Sequence, residues 1–220
     1  MTKLTDAQCL STLKLLHPIL VKHNGIVMGS SSLWCNKQYR AITSKFEWDD
    51  RVEGYNWDNN NAILDHFDAP GDFDIGIPVS DVDLITLYHN WRGISLKYED
   101  QLSDYIQSKF GLISALGTPL ALQYQYDGSS SLQDFLYKNW TVFGCVQLRF
   151  RVDGVNICVF FYRKDEWDNY PVTYNGLICN EYIHRRCLEI EECEVLTQGG
   201  IDSESLQFYC ITPTSYLRYK

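Results

Sequence analysis

The chain has 220 residues, 45% of them hydrophobic and 14% aromatic, which is material for a sizeable core and speaks against wholesale disorder. That length suits one domain with an elaborated edge, spanning residues 1–220. A formal net charge of -9 argues against an extended nucleic-acid surface, which needs many Lys and Arg to neutralise phosphates, but it leaves room for a local basic pocket.

From the start, Thr5 to Lys22 carries Leu10, Leu13, Leu16 and Leu20 at helical spacing, with Thr5 and Asp6 as cap candidates. Pro18 is expected to kink or shorten that helix. The same segment lacks the uninterrupted apolar core of a signal peptide, and no run in the chain is long enough for a membrane span, so the expected setting is soluble and cytoplasmic. A short apolar run, Ile26 to Met28, then meets Gly29, Ser30, Ser31 and Ser32 before Leu33 and Trp34 on a predicted helix. Strand, Gly-Ser turn and helix N-terminus can favour a phosphate through free N–H groups and the helix dipole; it can equally be a plain turn and cap.

Residues 40–70 are polar and aromatic by turns and show no clear period, so a lid or insertion is expected there. Gly71 to Leu84 reads GDFDIGIPVSDVDL. Residues two apart in a strand share a face, which directs the carboxylates of Asp72 and Asp74 to one side and offers oxygen ligands to a hard cation such as Mg²⁺. An Asp-x-Asp also suits a solvated turn. Ser80 then opens a predicted helix over Asp81 to Trp91, with Val82, Ile85 and Tyr88 on one side. Further elements are a helix over Tyr98 to Phe110, a strand over Leu120 to Tyr126 and a short helix over Leu132 to Tyr137.

Cys145 to Val152 and Val155 to Tyr162 flank Asp153-Gly154, a strong two-residue hairpin signal. That turn pairs Val152 with Val155, Arg151 with Asn156, Phe150 with Ile157 and Arg149 with Cys158. One ribbon face is then apolar; the other carries Arg149, Arg151, Asn156 and Cys158, as a pocket wall or as an ordinary solvated face. Arg163 to Tyr174 reads as a loop, and Glu192 to Leu196 and Leu206 to Ile211 as strands. The whole is an α+β (mixed α/β) pattern, a small mixed sheet flanked by helices. The eight cysteines show no zinc-type spacing and are expected to be reduced structural thiols, with disulfides open to an oxidising setting. The five histidines show no metal-type spacing either.

Taken together, the strand into Gly-Ser-Ser-Ser-Leu, the Asp-Phe-Asp-Ile-Gly-Ile run with Asp81 behind it, the hairpin ending Asp-Gly-Val-Asn-Ile-Cys-Val-Phe-Phe-Tyr, and the Pro213 to Tyr219 tail resemble the LicD/fukutin family of the nucleotidyltransferase superfamily. The resemblance implies a nucleotidyltransferase-like core and transfer of a phospho-alcohol group from a CDP-activated donor to a glycan or sugar acceptor. It also implies Mg²⁺ (or Mn²⁺) on Asp72 and Asp74, which become the catalytic pair, and donor phosphates near Gly29, Ser30 and Ser31. Asp81, Arg149, Arg151 and Cys158 are auxiliary candidates.

Two positions depart from the family pattern. Pro70 stands where a further acidic residue often precedes the pair, and Cys158 stands where the hairpin's return strand carries a third carboxylate. Asp81, Asp165 or Glu166 are candidate substitutes for the missing carboxylate. Because of Cys158, a catalytically degenerate nucleotide- or glycan-binding member is the first alternative. A second is a different nucleotidyltransferase, acting on RNA, protein or a small molecule from an NTP donor, with Asp81 and Asp83 as its metal pair.

Overall fold

The computed structural model describes residues 2–43, 64, 67–80, 82–83, 86–87, 99–119, 121–124, 146–163, 177–178, 188–197 and 204–211. The expected lid over 40–70 falls mostly outside these residues. So do the helix at Leu132 to Tyr137, the loop after Arg163, the tail from Thr212 onward, and Asp81, Asp165 and Glu166.

Helix α1 (Asp6–His23) begins where Thr5 accepts from the Gln8 backbone and Gln8 reaches back to the Thr5 backbone, a capping box that satisfies two otherwise orphaned donors. Its buried stripe is Cys9, Thr12, Leu13, Leu16, Ile19 and Leu20. The helix runs through Pro18 to His23 without being shortened there. Pro18 and Lys14, whose carbonyl loses its N–H partner, are both exposed residues, on the side of the helix where a missing bond costs least. Strand β1 (Ile26–Met28) is fully buried and feeds directly into α2 (Gly29–Thr43). The Gly-Ser run is therefore the first turn of the helix itself.

Strand β2 (Phe73–Val79) buries Phe73, Ile75, Ile77 and Val79 on one face and turns Asp74, Gly76 and Pro78 to the other. Pro78, unusual in a central strand, lies beyond the end of three-residue β1, where β2 is paired only with β5 (Val155–Arg163). Ser80 caps the next helical residues, its hydroxyl accepting from the Asp83 backbone N–H. Here the expected apolar side is revised: Val82 is 71% exposed and Leu87 is fully buried. Helix α3 (Glu99–Phe110) follows, then α4 (Leu112–Leu116), a short helix the sequence pattern does not predict.

The remaining strands are β3 (Ala121–Tyr124), β4 (Val146–Val152), β6 (Leu177–Ile178), β7 (Leu188–Leu196) and β8 (Ser205–Ile211). The sheet order is β3-β4-β5-β2-β1-β8-β7-β6. β2 pairs in parallel with β5 and antiparallel with β1, while β1 pairs in parallel with β8, so the sheet is mixed and the fold is α+β. The β4–β5 hairpin has the register the sequence predicts, from Val152 opposite Val155 to Arg149 opposite Cys158. Asp153 (φ 50°) and Gly154 (φ 82°) both take the left-handed conformation that a two-residue turn of this kind requires.

The core joins Leu148, Phe150, Ile157, Val159 and Phe161 of the hairpin to the buried face of β2 and to α1, α3 and α4. Phe110 of α3 packs on Phe161 with ring centroids 4.8 Å apart. At the other end of the sheet the expectation of reduced thiols is corrected for two residues: Cys193 and Cys210 form a disulfide, whereas Cys9, Cys35 and Cys158 are not disulfide-bonded. The β7–β8 register sets Cys210 opposite Glu191 and Cys193 opposite Phe208, leaving the two cysteines diagonal neighbours with Cα atoms 6.3 Å apart. Sequence spacing carries no trace of that register.

Candidate functional site

Four strands meet side by side at one place. Met28 at the end of β1 lies opposite Asp74 near the start of β2, Asp74 lies beside Cys158 of β5, and Cys158 lies opposite Arg149 of β4. Asp72 precedes β2 by one residue and, sharing the parity of Asp74, points its carboxylate to the same side. One ligand atom from each of Asp72, Asp74 and Cys158 lies within 4.8 Å of the other two. Two carboxylates two residues apart and a third group some eighty residues later thus form one cluster, because β2 and β5 are neighbours.

Helix α2 holds the cluster from the side. Gly29 has φ +56°, and a Cβ placed there would collide with Asp74 Oδ2. Only glycine leaves room for the Asp74 carboxylate against the head of α2, where the helix dipole also favours negative charge. Ser31 is fully buried and clamps the pair's backbone, its Oγ donating to the Asp72 carbonyl (3.0 Å) and accepting from the Asp74 N–H (2.9 Å). Ser32 donates to the Gly29 carbonyl (2.8 Å), closing the first turn. Of the serines named for donor phosphates, Ser31 therefore acts on the backbone of the pair, while Ser30 sits half-buried in the first turn.

Electrostatically the pair is under-compensated. Burial pushes the Asp72 carboxyl above its ordinary range, with the charge of Arg149 pulling the other way. Asp74 is pushed up to about 7 by burial first and by the charge of Asp72 second, against the opposing hydrogen bond from the Cys158 thiol and the charge of Arg149. Arg149 is exposed yet close enough to act on both; Arg151 lies two residues further along the same face, opposite Asn156.

Asp83 behaves in the opposite way. Its Oδ1 accepts from the Tyr105 hydroxyl (2.6 Å) and pairs with Lys109 Nζ (3.1 Å), and its Oδ2 accepts from Ser80 Oγ (2.7 Å). Burial works to raise its pKa, but these bonds and the Lys109 charge outweigh it and hold the carboxyl below the ordinary range. Both oxygens of Asp83 are committed, and Asp83 lies in a helical segment. Asp83, one member of the alternative acidic pair, is thus engaged in bonds within the fold, and Asp81, the other, lies outside the described residues.

The donor set decides which groups fit. Two carboxylates suit Mg²⁺, which takes oxygen ligands and leaves its other positions to water and phosphates; the thiol of Cys158 does not suit it. Sequence reasoning named each member of the cluster, but it missed the contact between Gly29 and Asp74, for which the only signal is the glycine at the strand–helix junction. No helix among the described residues is long and apolar enough to cross a membrane. No family model, curated protein or solved structure matches the chain.

Proposed function

We propose that the chain is a divalent-cation-dependent phosphotransferase of LicD/fukutin type, moving a phospho-alcohol group from a CDP-activated donor to a glycan or sugar acceptor. One observation carries the reading: residue 158, the position at which the resemblance expects a third ligand, has its side chain within 4.8 Å of both Asp72 and Asp74. The raised pKa values of the two aspartates add to it, since perturbed carboxyls gather where a cation or a reacting group belongs.

Asp72 and Asp74 would hold the cation, Mg²⁺ or Mn²⁺ on the family pattern, and the chemistry it would supply is charge neutralisation for the donor diphosphate and the departing nucleotide. Gly29 keeps the head of α2 low enough for the Asp74 carboxylate to sit beside it, and Ser31 fixes the spacing of the pair. Arg149, exposed on the same face, supplies a positive charge for a phosphate or for the leaving group. Ser30 and the first N–H groups of α2 orient the donor phosphates.

A specific observation also favours a second reading. With a thiol at residue 158, the site has one carboxylate fewer to serve as ligand or as base for the acceptor hydroxyl, which suits a member that binds nucleotide or glycan without turnover. The test is product formation from a panel of CDP-alcohols and NTPs with simple sugar acceptors, with Mg²⁺ or Mn²⁺ and after chelation. Metal-dependent turnover that collapses in Asp72→Asn and Asp74→Asn supports the enzyme. Nucleotide binding that survives chelation, with no product from any donor, replaces it by the binding module.

A further inference from the structure

We propose that Cys158 is a third metal ligand, so that the site prefers a thiophilic divalent cation of the Zn²⁺, Co²⁺ or Cd²⁺ kind over Mg²⁺. The inference rests on the reading of Asp72 and Asp74 as cation ligands and concerns which cation they share with the thiol.

The position of the sulfur is fixed by backbone pairing on both sides. Cys158 is held between Asp74 of β2 in a seven-residue parallel register and Arg149 of β4 in a seven-residue antiparallel one. A one-residue slip in either would turn Phe150, Ile157 and Val159 out of the core, so the thiol cannot leave this face without unfolding the hairpin. It is 3% exposed and hydrogen-bonds Asp74, which shows the sulfur and the carboxylate facing each other. Metal bonds to carboxylate oxygen and to thiolate sulfur run about 2.0–2.3 Å, so ligand atoms no more than 4.8 Å apart lie within reach of one shared ion after small side-chain rotations.

Ligand chemistry then sets the preference. Mg²⁺ demands oxygen in a near-octahedral shell and dehydrates reluctantly, so it gains nothing from sulfur. Thiolate binds softer cations strongly, and a thiol gives up its proton to solvent as the metal–sulfur bond forms. The two-carboxylate, one-sulfur set also leaves a fourth position open, as in sites where a metal polarises a bound oxygen.

The affinity order alone decides nothing, because almost any site ranks Co²⁺ above Mn²⁺ and Mg²⁺. The full chain is therefore titrated with Co²⁺ in a non-chelating reductant, and the near-ultraviolet thiolate-to-cobalt charge-transfer band is recorded. Cys158→Ser, Cys158→Asp and Asp72→Asn follow in parallel, with circular dichroism confirming each fold. The expected result is a saturable band in the wild type that is absent from Cys158→Ser and from Asp72→Asn, with the Co²⁺-over-Mn²⁺ affinity ratio falling at least about tenfold in Cys158→Asp. Saturable Co²⁺ binding that needs Asp72 but shows no band and is unchanged in Cys158→Ser overturns the sulfur ligand while leaving the carboxylates their cation. No saturable binding of Co²⁺, Mn²⁺ or Mg²⁺ to the wild type overturns both.

Discussion

Asp74 and Asp83 belong to one short stretch of sequence and are both partly buried, yet their surroundings treat them in opposite ways. Around Asp83 the protein supplies a hydroxyl from Ser80, a phenol from Tyr105 and an ammonium from Lys109, and the carboxyl is easier to ionise than usual. Around Asp74 it supplies a second carboxylate, a thiol and a more distant guanidinium, and the carboxyl is harder to ionise. A carboxylate whose needs the fold meets is cross-linking two helical segments. Asp74 is instead placed beside its own kind and left short of positive charge.

The sharpest break between the two is in activity. Asp72→Asn and Asp74→Asn are expected to lower metal-dependent donor turnover by about 10³-fold, the loss of several kcal/mol of charge stabilisation, while the fold persists. Turnover within a few-fold of wild type in both would remove the pair from the chemistry. Gly29→Ala comes next. Its Cβ would meet Asp74 Oδ2 and its φ of +56° is unfavourable for alanine, so about 2–3 kcal/mol of stability is expected to go, together with much of the Mn²⁺ affinity. Urea unfolding and a Mn²⁺ titration read both losses; an unchanged midpoint would mean the carboxylate does not rest there.

Asp83→Asn should cost about 1–2 kcal/mol at pH 7, with cation binding at the pair intact. The Asp83 pKa is lower folded than unfolded, so its contribution is present above the ordinary value of 3.8 and is lost as pH falls through the folded value. The gap between wild type and Asp83→Asn should therefore narrow as pH falls below 3.8, and a gap that does not narrow on acidification would point to packing instead of charge.

Asp74 predicts the reverse sign. Its folded pKa, about 7, lies above the ordinary 3.8, so the stability linked to it is complete below pH 3.8 and is lost as pH rises through 7. Metal-free Asp74→Asn should thus gain on wild type at about 1.4 kcal/mol per pH unit between 3.8 and 7, so that it is the more stable by a few kcal/mol at pH 8 and nearly equal to wild type at pH 3.5. Thermal melts at the two pH values check this; a variant less stable at pH 8 would show that the carboxylate is already well served.

How much of this could be read from residues varies with the range of the interaction. The hairpin was fully legible, since a two-residue Asp-Gly turn fixes every cross-strand partner from Val152 to Arg149. The shared side of Asp72 and Asp74 was legible for the same local reason, the period of two. Pro18 misleads because a proline's effect on a helix depends on its surroundings, and here it sits on the exposed side of a helix that continues to His23. Val82 misleads because helical spacing marks a stripe without saying which neighbour covers it. The order of strands, the approach of Gly29 to Asp74 and the Cys193–Cys210 bond all depend on which distant segments become neighbours, and no local pattern encodes that.

Strand order has a kinetic consequence as well. The site needs β1 beside β2 and β2 beside β5, and β1 is itself flanked by β8 from near the opposite end of the chain. Pairings over such sequence distances form slowly, because loop closure must precede any gain from contact. During refolding, cation binding should therefore appear only in the last phase, well after the β4–β5 hairpin and α1 have formed from neighbouring residues. A nascent chain that has not yet delivered β5 would have its two aspartates but no site.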